Sequence, residues 1–221
     1  MKKAILLIGF FTVSVLGFAQ DKKVNLGIRT AINLGSNNAE GENYSKNGSG
    51  MRLSGGLIVD FNLSDNYAIS TGVLYTIKRA GFKRTLPNNT TQSSVYNLQV
   101  LQLPISLKLF TSEVATDTRL YFQVGSTVDI KLAEVPLDKA TNFLFNETKG
   151  SVYKPVGVGL LLGAGVEMRL SDANSVFFGL NYNRGLINAT GSAAFNVDGS
   201  KFYDQVSSRL NLFGLEAGLK F

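Results

Sequence analysis

Residues 156–170 read VGVGLLLGAGVEMRL. In a pleated strand alternate side chains point to opposite faces. One face of this segment then carries Val156, Val158, Leu160, Leu162, Val166, Met168 and Leu170. The other carries Gly157, Gly159, Gly163, Gly165, Glu167 and Arg169. Glycine on a solvated strand face weakens the strand and gains nothing. Glycine inside a narrow closed barrel has a use, because an eight-stranded barrel has room for little more than side chains. The segment therefore predicts a barrel wall whose glycines and charges crowd the axis and whose apolar face looks outward.

The same two-residue period spreads over the rest of the chain. Apolar residues alternate with polar or small ones over 24–34, 51–63, 67–78, 101–109, 120–130, 176–182 and 213–221, which with 156–170 makes eight strands. The apolar face is free of charge through the strand centres. The opposite face holds Arg29, Arg52, Asp60, Lys78, Lys108, Arg119, Asp129, Lys131, Glu167, Arg169, Glu216 and Lys220. A charge facing mid-bilayer costs ~2–4 kcal/mol, so this is the distribution a lipid-facing surface requires. A soluble, lipocalin-like barrel in the periplasm would reverse the faces, and its interior would exclude charge as well. The glycines separate the two readings.

Between the strands, long connections (35–50, 80–95, 132–154, 189–206) alternate with short ones (64–66, 110–118, 171–174). Short turns at one end and long loops at the other mark an up-and-down transmembrane barrel. The long segments are polar, as in Gly35-Ser36-Asn37-Asn38 and Asn88-Asn89-Thr90-Thr91. Two hairpins echo each other: Asp60 to Asn66 (DFNLSDN) and Glu167 to Asn174 (EMRLSDAN) both turn on Leu-Ser-Asp. Tyr67, Tyr75, Phe110, Phe122, Phe178, Tyr182 and Phe221 fall near strand ends, where rings suit the membrane–water interface. Phe221 closes the last alternating strand and resembles the insertion signal of outer membrane barrels, which implies the barrel assembly machinery as a partner.

The first residues give an address. Met1-Lys2-Lys3 precedes the uncharged run 4–17 (AILLIGFFTVSVLG), and Gly17-Phe18-Ala19 places small residues before Gln20. This is the pattern of a secretory signal peptide over 1–19, with the barrel domain over 20–221. Export and an apolar exterior together predict the cell outer membrane.

Composition narrows the function. Of 221 residues none is Cys, His or Trp, and 22 Lys+Arg face 16 Asp+Glu. Without Cys there is no disulfide scaffold or thiolate metal site. Without His the commonest general base and metal ligand is missing. Gly157-x-Gly159 lies inside a strand rather than at a strand-to-helix turn, so it is no dinucleotide fingerprint. No cofactor, metal or catalytic group is expected, and an exported barrel is not expected to meet nucleic acid. The basic balance suits lipopolysaccharide phosphates or surface anions. The inward carboxylates and bases should form an ionic network in which Arg29, Asp60, Glu167, Arg169 and Glu216 take part. Arg29 lies near the start of the first strand and Glu216 near the end of the last, so an Arg29–Glu216 ion pair across the closing seam is expected.

Several stretches resemble the PorT-like outer membrane beta-barrel family of Bacteroidetes. They are Leu26 to Leu34 (LGIRTAINL), Thr71 to Tyr75 (TGVLY), Leu103 to Lys108 (LPISLK), Gly163 to Glu167 (GAGVE) and the closing Gly218 to Phe221 (GLKF). The resemblance covers most of the chain after the leader. It implies an eight-stranded outer membrane barrel without assigned activity, and an accessory role in a protein secretion system as the alternative, since the founding member assists one. The expected protein is a monomer in contact with outer membrane lipids. It has a largely filled interior and acts through its outer loops, or as a structural or assembly component of the envelope.

Overall fold

A computed structural model describes residues 23–41, 44–86, 89–137, 139, 142, 151–171, 173–191 and 207–221. The leader expected over 1–19 lies outside the described residues. Among the described residues nine strands follow one another: β1 Val24–Glu40, β2 Tyr44–Lys46, β3 Ser49–Ser64, β4 Tyr67–Thr85, β5 Thr91–Ala115, β6 Thr118–Leu137, β7 Val156–Arg169, β8 Ser175–Gly185 and β9 Ser207–Lys220. All pairings between them are antiparallel. β1 bonds to both β3 and β9, and β4 bonds to β5, so eight strands close into a ring, β1-β3-β4-β5-β6-β7-β8-β9. The chain ends seal the seam: the Phe221 amide donates to Leu26 O at 2.8 Å, and the Leu26 amide donates to Phe221 O at 3.1 Å. Closure leaves none of the eight with an unpaired edge through the middle of the wall, which is the only way strands can cross lipid.

The pleat points as the glycines require. Leu57 and Leu215 are each 62% exposed on the outside, and Arg29, Asp60, Glu167 and Glu216 are buried inside. Tyr67, Tyr75, Phe122, Phe178, Tyr182 and Phe221 are exposed. Phe110 is not: it faces the lumen, with the Arg119 guanidinium carbon 3.8 Å from its ring centre. The glycine face accommodates aromatic rings as well as ions. A Cβ at Gly165 would stand 2.6 Å from the Tyr121 ring, and one at Gly179 would stand 2.2 Å from the Tyr121 hydroxyl.

The strands are longer than the apolar alternation suggests. β5 has 25 residues, against the ~9–11 that a tilted strand needs to cross a bilayer. The segments read as loops at 35–40, 44–46, 49–50, 80–85, 91–95 and 132–137 are strand, and the turn read at 110–118 shrinks to 116–117. The cause is an inversion of the pattern. Above Leu101 the inward residues of β5 become apolar (Val100, Leu98, Tyr96) and the outward ones polar (Gln99, Asn97, Ser93). β4 inverts likewise, with Ala80 and Phe82 buried and Lys83 exposed. Once a strand leaves lipid its outer face meets water, and the core it can build lies inside.

Two clusters result. Ile58, Ala68, Leu74, Phe110, Tyr121 and Phe177 pack among the charges toward the short turns. Ala80, Phe82, Tyr96, Leu98, Val100, Val152 and Tyr153 pack at the long-loop end.

Candidate functional site

Among the described residues the lumen concentrates polar chemistry. Nearest the short turns, Asp60 on β3 accepts from Ser70 Oγ at 2.5 Å and faces Lys108 Nζ at 3.1 Å and Lys220 Nζ at 2.6 Å. Lys220 also binds Glu167, whose other oxygen meets Arg119 at 2.7 Å. The two echoing hairpins thus deliver Asp60 and Glu167 to the same ammonium. Lys108 and Lys220 further lie 5.3–5.6 Å from the centre of the Phe177 ring.

One layer further in, Glu216 meets Arg29 at 2.5 Å. Its oxygens also accept from Tyr121 Oη at 2.8 Å and Asn181 Nδ2 at 3.0 Å. Ladder partners of Arg29 and Glu216 are Gly218 and Ala31, so the pair bridges the seam diagonally. Beyond it, Lys78 Nζ lies 2.7 Å from Asp129, which also accepts from Gln102 Nε2 at 2.9 Å. Asn183 extends the chain by donating to Thr127 Oγ1 at 2.7 Å.

Arg169 stands apart from these residues. It points to the same side as Glu167 but sits in the last rung, where its side chain is 55% exposed and, among the described residues, pairs only with Glu113, at 4.0 Å. Position along the strand, not pleat, removes it from the network, because water solvates it at the mouth. Conversely Lys108, Lys220, Arg119 and Tyr121 carry as much of the network as the five residues expected there. Their inward parity was legible. Their convergence depended on strand register, which alternation does not determine.

At the long-loop end aromatic rings pack beside smaller polar pairs such as Asn37 with Ser208 and Ser94 with Asn142. Phe82 stacks on Tyr153 with ring centres 6.1 Å apart, and Tyr96 meets Tyr153 edge-on at 5.6 Å. Tyr153 comes from the connection between β6 and β7, and Glu134 fixes it there. That carboxylate accepts the amides of Val152 at 2.9 Å and Tyr153 at 3.2 Å, the Ser151 hydroxyl at 2.7 Å, and Lys131 Nζ at 3.0 Å.

Each carboxylate in these layers is engaged by a base or by several donors, and the hydroxyls beside them, Ser70 at Asp60 and Ser151 at Glu134, donate to those carboxylates. Among the described residues no group of three or more carboxylates gathers as a metal site would require. The arrangement cross-braces a wall and fills its centre.

Residues 18–191 match the outer membrane protein beta-barrel domain. The chain belongs to that family. It resides in the outer membrane, with its short turns on the periplasmic side and its long-loop end outward. Among solved structures it resembles the outer membrane protein OprG from Pseudomonas aeruginosa, with 10% identity, a TM-score of 0.54, and coverage of 89% of this chain and 95% of that one. Neisserial surface protein A gives 12% identity, a TM-score of 0.49, and coverage of 90% and 98%. No curated protein matches the chain in sequence.

Proposed function

We propose that this outer membrane barrel is a non-enzymatic envelope protein that passes no solute and works through its outer end. The observation that carries this reading is the double filling of the lumen. A layered ionic network closes the periplasmic half and a tyrosine-and-phenylalanine cluster closes the outer half. A catalyst needs a reactive group left free, and a pore needs a continuous water path. Glu216 with its three partners and Tyr153 under Phe82 offer neither.

Reconstitution of the mature chain in planar bilayers tests this. The wild type should show no stable channel. The double variant Tyr121→Ala, Phe177→Ala, which removes two rings from the centre, should raise conductance. A stable wild-type channel would overturn the reading.

The residues shared with the PorT-like family support a narrower version, in which the outer end serves a protein secretion system. Co-purification of envelope partners with the intact chain, lost when the outer connections are shortened, is the expected result. We further propose that the chain is a monomer, that residues 1–19 are a cleaved leader, and that Phe221 is read by the barrel assembly machinery. A Phe221→Ser chain should then reach the membrane more slowly while keeping the same ladder once inserted.

A further inference from the structure

The wall parts between β3 and β4 while both strands still run on. β3 and β4 are paired from Ser64 and Tyr67 up to the Ser54–Thr76 rung and no further. β3 continues along β1 to Ser49, while β4 runs on and takes a new partner in β2 from Phe82. In the gap, the Gly81 amide donates to the Asn37 side chain at 3.1 Å instead of to a strand.

Arg79 occupies this gap. It lies against the inner face of β1 and β3: a Cβ at Gly50 would stand 2.4 Å from Arg79 Cδ, and one at Gly35 3.1 Å from the Arg79 amide nitrogen. Arg52, two residues from Gly50, donates its Nε to Asn97 Oδ1 at 2.7 Å, and Asn97 is the ladder partner of Arg79. Both side chains therefore meet at this gap, where like charges repel.

Such a pairing is foreign to the rest of the interior. Arg29, Lys78, Lys108, Arg119, Lys131 and Lys220 each face a carboxylate. Among the described residues none forms an ion pair with Arg52 or Arg79. Arg79 Nε is buried without a hydrogen bond. Arg52 uses Nε and one terminal nitrogen, the latter on Met51 O at 2.6 Å, and keeps other donors free. Two adjacent forks with unused donors match the oxygens of a phosphate.

The level of the gap indicates which phosphate. Leu34 and Met51 form the last apolar rung on the outside of β1 and β3, and the next outward rung is Ser36 with Ser49. Met51 is 70% and Leu53 63% exposed. The arginines therefore sit where the outward-facing wall leaves lipid, at the height of the outer-leaflet headgroups.

We propose that Arg52 and Arg79 form a binding site for the phosphate of an outer-leaflet glycolipid, reached past the edge of β3 that β4 leaves unpaired, whose acyl chains lie on Met51 and Leu53 beside that edge. The proposal goes beyond the closed-barrel reading and needs only the chain's place in the outer membrane.

The test uses the full mature chain folded in detergent, with a bisphosphorylated lipid A-type glycolipid, its dephosphorylated form and inorganic phosphate as probes. Binding is read by native mass spectrometry. The wild type should retain the phosphorylated glycolipid at least tenfold more tightly than the dephosphorylated one. Arg52→Gln with Arg79→Gln should abolish that difference, and Arg169→Gln, which removes the same charge at the other end, should preserve it. Gel mobility before and after heating reports folding of each variant. If the double variant does not fold, Arg79→Gln alone is read in the same way. Equal binding of the two glycolipids by the wild type would overturn the proposal. So would retained discrimination in the variant, or inorganic phosphate binding as tightly as the glycolipid.

Discussion

At the periplasmic end of the lumen Lys220 holds Asp60 and Glu167 together, and at the outer end Phe82 and Tyr153 hold one another. The same strands build both. What differs is the solvent outside them. Where the outer face must be apolar for lipid, polarity is left for the inside, and each buried charge is cross-braced. Where the outer face meets water, the wall can behave like an ordinary β-sandwich and place its apolar residues within. The two ends should therefore fail differently. Loss of one ion leaves its partner buried and uncompensated, whereas loss of one ring leaves a cavity.

The largest effect is expected from Lys220→Met. It strands Asp60 and Glu167 near each other with Lys108 and Arg119 as the remaining counter-charges, and removing one partner of a buried pair costs about 3–5 kcal/mol. Urea unfolding of the folded barrel, followed by circular dichroism because the chain has no Trp, should show the midpoint fall for the whole transition. Phe82→Ala tests the other end. A Phe-to-Ala change in a packed core costs about 3 kcal/mol at the lower end of its range. Here the loss should be local. Amide exchange should rise across residues 80–84, 94–98 and 152–153, while Ile58 and Phe177 stay protected. A uniform rise would mean that the two ends form one cooperative unit.

How much of this was legible in the sequence differs between the ends as well. The eight wall strands and their inward charges followed from alternation, and the up-and-down order from the rhythm of long and short connections, because lipid imposes one rule on every outward position between Leu26 and Leu34 or Leu101 and Leu109. The upper walls did not follow. Val100 and Leu101 are adjacent apolar residues on opposite faces, and a reading tuned to outward apolar residues ends the strand there. The phase continues; only the meaning of each face changes. The convergence of Lys108, Arg119 and Lys220 on two carboxylates was hidden for another reason. It depends on rungs such as Arg119–Glu167 and Gly27–Lys220, which fix which strands' inward residues stand at one height.

A subtler test concerns the glycines around Tyr121. Gly179→Ala places a methyl group 2.2 Å from the Tyr121 hydroxyl, which must give way and loosen its bond to Glu216. Overpacking of this kind costs about 1–3 kcal/mol. Tyr121→Phe removes the obstructing oxygen, so the double variant should be more stable than the two single effects added together. The coupling energy from the cycle separates crowding from loss of the hydrogen bond, since strictly additive effects would mean that the ring simply moves aside.

Arg169→Gln should do least. The residue shares its strand face with Glu167 two positions away, yet lies where water screens its 4.0 Å contact with Glu113. Exposed pairs contribute about 0–1 kcal/mol. The unfolding midpoint should stay within measurement error of the wild type at moderate salt, while Arg29→Gln, on the same kind of inward face but buried against Glu216, should lower it clearly. The contrast isolates depth in the lumen from side-chain chemistry, because both changes remove one guanidinium. If Arg169→Gln were as damaging as Arg29→Gln, the periplasmic mouth would have to be closed to water, and the boundary between the braced interior and the solvated rim would lie below the last rung instead of at it.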